Sequence, residues 1–259
     1  LAVPPVFAVA DGMGGHLGGA QASSTAVLIL QEYLSPGRLG DRPVDLVDLS
    51  VAIDSAATAV ASLAPADNPM SAPGTTLSGL MVLHTAEGPY WLSFNVGDSR
   101  AYVVGGGGVR QLTHDHSALQ EARDLAATSG APRVIPPANV VTKALGAGQS
   151  GGVKADYTIM PLEEGDRAVI CTDGVHGVLS DSQMCALVAA GNGPQGDADA
   201  LVRAALEGGT RDNATAVVVY AGTESRVTLP SNVMSRMIQP VRPASIETAR
   251  RIPRRKGSN

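Results

Sequence analysis

The stretch "VFAVADGMGGHLGG", residues 6–19, carries an apolar β-type run into an aspartate and then into a loop that holds five glycines. A carboxylate at the end of a buried strand needs a partner, and the glycines around it leave the backbone open to close approach. Further β-type runs are predicted at residues 75–83, 90–96, 101–104, 157–160, 167–172 and 214–220. Because several of these runs are neighbours in sequence, we expect antiparallel sheets.

Helix patterns lie between the β-type runs. Residues 45–64 repeat apolar side chains at helical spacing, which predicts one apolar face. A serine followed three residues later by glutamine predicts helix starts at Ser117 and Ser180. We also expect one helix to begin near Ala20 and another to be capped by Asp197. The sequence therefore predicts an α+β fold in which helices cover a layered core of antiparallel sheets.

Composition and charge argue against a nucleic-acid-binding or membrane-spanning protein. Hydrophobic residues make up 44% of the 259 residues and aromatic residues only 3%, so the core must be largely aliphatic. Residues 1–223 hold 11 Lys and Arg against 22 Asp and Glu, a net charge of −11, which argues against a nucleic-acid partner. The two cysteines, Cys171 and Cys185, lie in apolar runs and indicate reduced thiols in a cytoplasmic protein. No apolar run is long enough to span a membrane.

Four of the β-type runs present an aspartate at one end. Asp11, Asp98 and Asp173 follow such runs, each beside a glycine, and Asp212 precedes one. Any one of them alone is more typical of a turn. Four carboxylates gathered at one end of a sheet repel each other unless cations lie between them, and oxygen ligands select Mg²⁺, Mn²⁺ or Ca²⁺. We therefore predict a metal centre, since the sequence offers neither an EF-hand loop nor a nucleophile elbow.

The aspartates stand in motifs that occur in a fixed order: "VFAVADGMGG", "GTTLSGLMV", "NVGDSRAYVV", "LTHDHS", "VVTKALG", "VICTDGV" and "RDNATAVVV". In this order the chain resembles the metal-dependent protein phosphatase (PPM) family, the type-2C serine/threonine phosphatases. The resemblance is nearest to the compact bacterial members and covers residues 5–221. It implies a fold of two packed antiparallel β-sheets flanked by helices, a four-layer α-β-β-α sandwich. It also implies a binuclear Mg²⁺ or Mn²⁺ centre, with a third ion in bacterial members.

Carried over residue by residue, the resemblance assigns five metal-site residues. Asp11 would bridge two ions, and the carbonyl group of Gly12 would bind the second. Asp173 and Asp212 would complete the shell of the first ion, and Asp98 with Asp173 would hold the third. No protein nucleophile is implied, because a water shared by two divalent ions becomes acidic enough to attack phosphorus. The implied reaction is hydrolysis of phosphoserine and phosphothreonine in phosphorylated proteins, the products of serine/threonine kinases.

Residues around the centre receive lesser roles. Asn213 is taken as a supporting residue that orients a neighbour, and Arg133 as a candidate substrate contact. In "LTHDHS" the resemblance favours a structural or substrate-edge role for His114 and His116 over metal binding. His176 is taken as incidental.

The two ends of the chain carry separate expectations. Nothing before Val6 matches the first strand of the family, which bears an arginine for phosphate and acids for the second ion. We therefore expect either a fragment or mis-started reading frame, or a protein that has lost those functions. The alternative to an enzyme is a pseudophosphatase or regulatory binding module with an incomplete active site. Residues 224–259 hold 8 Lys and Arg, 2 Glu and four prolines, which predicts a disordered basic tail or linker after a phosphatase domain at residues 1–223.

Overall fold

The computed structural model of the chain describes residues 1–14, 16–40, 42–65, 72–106, 108–129, 135–148, 152–222 and 249–251. The helices are α1 (His16–Tyr33), α2 (Pro36–Leu39), α3 (Leu46–Ala61), α4 (Ala118–Ser129), α5 (Asp173–His176), α6 (Asp181–Ala189) and α7 (Gly193–Glu207). The strands are β1 (Ala2–Val3), β2 (Val6–Val9), β3 (Gly12–Met13), β4 (Gly74–Thr75), β5 (Leu77–Thr85), β6 (Gly88–Val96), β7 (Arg100–Gly105), β8 (Gly108–Gln111), β9 (Leu145–Gly146), β10 (Asp156–Pro161), β11 (Arg167–Cys171), β12 (Ala216–Tyr220) and β13 (Ala249–Arg251).

The longer strands form two sheets. One has six strands in the order β1-β2-β5-β6-β10-β13, and the other has four in the order β12-β11-β7-β8. Pairing is antiparallel throughout both sheets except between β10 and β13, which run parallel. A third, small sheet of β3, β4 and β9 lies beside them. The prediction of antiparallel sheets is thus confirmed.

Side chains alternate across the central strands and so join four layers. On β6, Trp91 packs between the two sheets, whereas Leu92 and Phe94 face α1 and α3. On β11, Ile170 packs between the sheets and Val169 faces α5, α6 and α7. Because neighbouring residues of a strand point to opposite faces, each sheet is buried on both sides. The result is the predicted α-β-β-α sandwich.

Most helix boundaries follow the predicted signals. Asp45 caps α3 and exchanges hydrogen bonds with Asp48, and Ser180 caps α6 by the same reciprocal arrangement with Gln183. Ser117 Oγ accepts a hydrogen bond from the backbone N–H of Gln120 at the start of α4.

Two predicted helix starts are wrong. Helix α1 begins at His16 rather than near Ala20, because the glycines of its first turn pack closely against β3. Asp197 does not cap α7, which begins four residues earlier with a proline in its first turn. Asp197 is instead fully buried inside that helix, where it accepts hydrogen bonds from Asn192 N and from the hydroxyl group of Tyr220.

Within residues 224–259 the structure describes only β13, which pairs with β10. That this segment is a disordered basic tail or linker stays a prediction. The domain boundary at residue 223 stays a prediction. Among the described residues, no helix combines the length and apolar character needed to cross a bilayer.

Candidate metal centre

Asp11 follows β2 and is held by its backbone. Its N–H donates to Thr76 Oγ1 at 3.0 Å. Its carbonyl oxygen accepts from Thr75 Oγ1 at 2.9 Å and from the N–H of Thr76 at 2.8 Å. Thr75 on β4 and the next residue, Thr76, thus occupy both backbone groups of Asp11. Only the carboxyl group of Asp11 is available to bind a ligand.

Asp98 lies in the connection between β6 and β7 and is held by similar contacts. Its carbonyl oxygen is 3.0 Å from His176 Nε2. The next residue, Ser99, is tied to the Asp11 side of the site, because its hydroxyl group lies 2.8 Å from Thr76 Oγ1. Thr76 is buried and therefore links the backbone positions of the two aspartates.

Asp173 and Asp212 come from the four-stranded sheet, and Thr172 joins their segments. Thr172 lies between β11 and α5, and its hydroxyl group donates to the carbonyl oxygen of Asn213 at 3.2 Å and accepts from Thr215 N at 3.1 Å. Asp173 follows directly as the first residue of α5, and Asp212 precedes β12 in an exposed loop. The two acids therefore keep a fixed relation through one buried threonine.

Neighbouring carboxylates lie near enough to Asp11 and Asp98 to raise the pKa values of these two groups. Burial, followed by the negative charge of Asp173, raises the pKa of Asp11 from 3.8 to about 7, with smaller contributions from Asp212 and Asp98. A proton on Asp11 also allows a hydrogen bond to Asp173, which acts in the same direction. Burial and the charge of Asp173 raise the pKa of Asp98 to about 6. All four predicted carboxylates are thus brought together.

The same arrangement fits a bound cation. Asp173 Oδ1 is buried and has no hydrogen-bond donor among the described residues, which is costly for an anionic oxygen unless a cation or proton reaches it. Hard oxygen ligands of this kind suit Mg²⁺ or Mn²⁺. As the side chains stand, no three His, Cys, Asp or Glu residues in the described part of the chain converge as a ready ligand set. The four carboxyl groups fit a metal in chemistry and charge, and ligand geometry would require their side chains to reorient.

Close packing against Gly19 requires a glycine at position 12. A Cβ at Gly12 would overlap the carbonyl group of Gly19, and a Cβ at Gly19 would lie 2.6 Å from the carbonyl oxygen of Gly12. The two glycines therefore allow α1 to start directly against β3. That the Gly12 carbonyl group binds a metal stays a prediction.

A cavity of about 250 Å³ adjoins the acids on the side of α4. Its lining includes Asp98, Asp173, Ser117, Arg123, Asn139 and His176. A second arginine at the cavity, Arg100, is engaged by Asp115 through hydrogen bonds of 2.7 to 3.0 Å and by the Tyr102 hydroxyl group at 3.2 Å. Arg123 is exposed and forms no ion pair with any described residue.

The remaining predicted residues differ in outcome. The contacts that the structure gives for Asn213 are made by its backbone, including its N–H to Asp212 Oδ1 at 2.8 Å. Arg133 lies outside the described residues, so its contact with substrate stays a prediction. His176, interpreted as incidental, contacts the backbone of Asp98, and burial lowers its pKa.

The sequence did not reveal the hydroxyl groups that hold the acids. Thr75, Thr76, Ser99 and Thr172 are all buried and hydrogen-bonded at the site. A signal was present in "GTTLSG" and "CTDG", where polar residues interrupt apolar runs immediately beside a site motif. A buried hydroxyl group in a strand needs a partner, and the nearest unpaired backbone groups belong to the acid-bearing turns.

Comparisons with known proteins show the family of the chain. The family model for protein phosphatase 2C matches residues 3–203, a span that contains Asp11, Asp98 and Asp173 and ends before Asp212. The chain is 28% identical over 218 residues to the serine/threonine phosphatase stp of Listeria innocua, covering 83% of this chain and 84% of that protein.

Two solved structures are similar as well. The phosphatase MsPP of Mycobacterium smegmatis, crystallised with cacodylate, is 30% identical with a TM-score of 0.68, covering 86% of this chain and 90% of that chain. The catalytic domain of the phosphatase PstP, crystallised with two manganese ions, is 28% identical with a TM-score of 0.66, covering 82% of this chain and 86% of that chain.

Proposed function

The chain belongs to the protein phosphatase 2C family, and from that membership we propose that it hydrolyses phosphoserine and phosphothreonine in phosphorylated proteins at the four-aspartate site. The enzyme is a hydrolase of the serine/threonine phosphatase class, as are its bacterial relatives. The observation that carries the proposal is the meeting of Asp11, Asp98, Asp173 and Asp212, with a buried oxygen of Asp173 lacking any donor.

Metal dependence is proposed from the same acids. Asp11, Asp173 and Asp212, with the Gly12 carbonyl group, would hold two Mg²⁺ or Mn²⁺ ions, and Asp98 with Asp173 would hold a third. When bound, such ions supply Lewis acidity toward phosphoryl oxygens and an acidified water. The two manganese ions crystallised with PstP support the ion type and a count of at least two.

Hydroxyl side chains of this chain position the aspartates of the site. Thr75 and Thr76 fix the backbone of Asp11, and Thr172 fixes the loop of Asp212 against Asp173. The cavity beside Asp98 and Asp173 offers space for the substrate phosphate. Arg123 at its wall, which forms no ion pair with a residue that the structure describes, would contact an anion there. Arg133 is proposed as a second substrate contact.

The test is hydrolysis of a phosphothreonine peptide by the purified full chain with Mn²⁺, with and without a chelator. We expect activity that needs Mn²⁺ and is lost in Asp212→Asn by at least about 100-fold, since losing a carboxylate ligand removes several kcal/mol of metal-assisted stabilisation. Asp199→Asn, an equally exposed carboxylate on α7, is the matched control. Equal rates in the two variants would refute the site. Mn²⁺ binding without turnover would instead support the pseudophosphatase.

We also propose a cytoplasmic location. Both cysteines are free, with Cys171 buried and Cys185 half-buried, and burial raises the pKa of the Cys171 thiol to about 12. Thiols that are not paired are typical of proteins from a reducing compartment. Fractionation of the source cells, with the protein recovered outside the cytoplasm, would contradict this.

A further inference from the structure

The turn that carries Asp98 depends on Gly97. This glycine adopts φ +107°, and a Cβ there would lie 2.6 Å from the side chain of Thr76. A residue without a side chain cannot be fixed by side-chain packing, so the direction of the turn depends on its backbone hydrogen bonds.

His116 makes hydrogen bonds to both backbone groups of Gly97. The N–H of His116 donates to the carbonyl oxygen of Gly97 at 2.9 Å. The N–H of Gly97 donates to His116 Nδ1 at 3.0 Å. Nδ1 accepts this bond only when it carries no proton, so the neutral ring has its hydrogen on Nε2.

Two charged residues lie at the far side of the His116 ring. His116 Nε2 lies 3.2 Å from Asp156 Oδ2, and Lys143 Nζ lies 2.8 Å from Asp156 Oδ1. The His116 side chain is 13% exposed, and burial together with the charge of Lys143 lowers its pKa. A carboxylate on the far nitrogen fixes both the tautomer and the orientation of an imidazole ring.

We propose that His116 is a positioning residue that aims Asp98 at the metal centre, with Asp156 holding its ring. This inference rests on the proposed role of Asp98 as a metal ligand. His114, two residues away, is a contrast within the same motif. Its side chain is 46% exposed and its Nε2 meets Asp124 Oδ2 at 2.7 Å, away from the turn.

The test compares two amide substitutions. In His116→Asn the amide oxygen takes the position of Nδ1 and can still accept from Gly97. In His116→Gln the amide lies where Nε2 was, so that acceptor is lost. The full chain, freed of metal, is titrated with Mn²⁺ by isothermal calorimetry, and Asp98→Asn identifies the binding step that depends on Asp98. Thermal unfolding without metal is measured in parallel.

We expect His116→Gln to weaken the step that depends on Asp98 by about 10-fold to 100-fold, the range for residues that support a metal ligand. His116→Asn should retain most of the affinity, and His114→Gln should leave it unchanged. If Asp98→Asn weakens a step but the two His116 variants behave alike, the positioning role is overturned while the metal site stands. If Asp98→Asn weakens no step, the metal assignment of Asp98 fails, and the inference fails with it.

A second variant guards against misfolding of His116→Gln. Asp156 is 56% exposed, so Asp156→Ala should fold and only release the ring of His116. We expect a loss of affinity in the same step, smaller than with His116→Gln, and faster hydrogen exchange of the Gly97 amide. Unchanged affinity and unchanged exchange would overturn the role given to Asp156 and His116 together.

Discussion

Replacing Asp173 by asparagine should have opposite effects on the protein with and without metal. Asp173 is the charge that contributes most to the raised pKa values of Asp11 and Asp98. Without metal, Asp173→Asn removes this repulsion, and its amide can donate to Asp11, so the folded state should gain stability. With Mn²⁺, the same change removes a proposed metal ligand and should reduce the stabilisation that the metal provides.

The size of the first effect follows from the pKa values. The pKa of Asp98 rises from 3.8 to about 6, and each pKa unit corresponds to about 1.4 kcal/mol. The ionised Asp98 therefore lowers the free energy of unfolding by about 3 kcal/mol above pH 7. Burial is the largest cause and Asp173 only the second. Asp11 is partly exposed, so its larger shift must be discounted for solvent screening. We therefore expect Asp173→Asn without metal to be more stable by about 1 kcal/mol at pH 7.5.

The sign of the pH dependence is fixed by the direction of the shifts. A carboxyl group whose pKa is raised on folding favours the folded state at low pH, and that contribution is lost as the pH rises from about 4 through the folded pKa. The gain from Asp173→Asn should thus be present at pH 7.5 and vanish near pH 4.

The assay is urea unfolding with chelator and with Mn²⁺, at both pH values, beside the control Asp199→Asn. A metal-free Asp173→Asn protein that is less stable than the parent at pH 7.5, or that retains the full Mn²⁺ stabilisation, would refute this reasoning.

Three further outcomes are expected. Gly12→Ala should destabilise the chain by about 2 kcal/mol or more through overlap with α1, whereas Gly108→Ala, where a Cβ meets nothing within 4 Å, should shift the thermal midpoint little. Thr76→Val should cost about 1 to 3 kcal/mol in urea unfolding, because the part-buried N–H of Asp11 loses its acceptor; an unchanged midpoint would contradict the hydrogen-bond link between the acids. Mn²⁺ binding at pH 6 should release about one proton, mainly from Asp11 and Asp98. Calorimetry in buffers of different ionisation enthalpy measures this release, and a value of zero would show that neither group was protonated.

The sequence was sufficient for what depends on local pattern. The β-type runs at residues 90–96 and 167–172 and the capping serine of α6 predicted elements that the structure confirms. The ends of the strands also located the four acids, because a strand end fixes where the next residue lies relative to its sheet.

What the sequence could not supply depends on contacts between distant segments. Thr76 is 65 residues from Asp11 along the chain. It can hydrogen-bond to Asp11 only because β4 pairs with β3. The pKa of Asp98 depends on Asp173, which is distant from it along the chain. Asp197 satisfies the residue preference for a helix cap, yet the tertiary contact with Tyr220 buries it inside α7. Tertiary contacts thus override the local preference of a residue for a helix cap.

The acids of the site come from different layers of the sandwich. Asp11 extends from the six-stranded sheet, Asp173 and Asp212 flank strands of the four-stranded sheet, and Asp98 lies where the chain crosses from one to the other. A nascent chain whose sheets have formed but have not yet stacked keeps these carboxylates apart. We therefore expect the four-aspartate site to form only after the two sheets have stacked on each other.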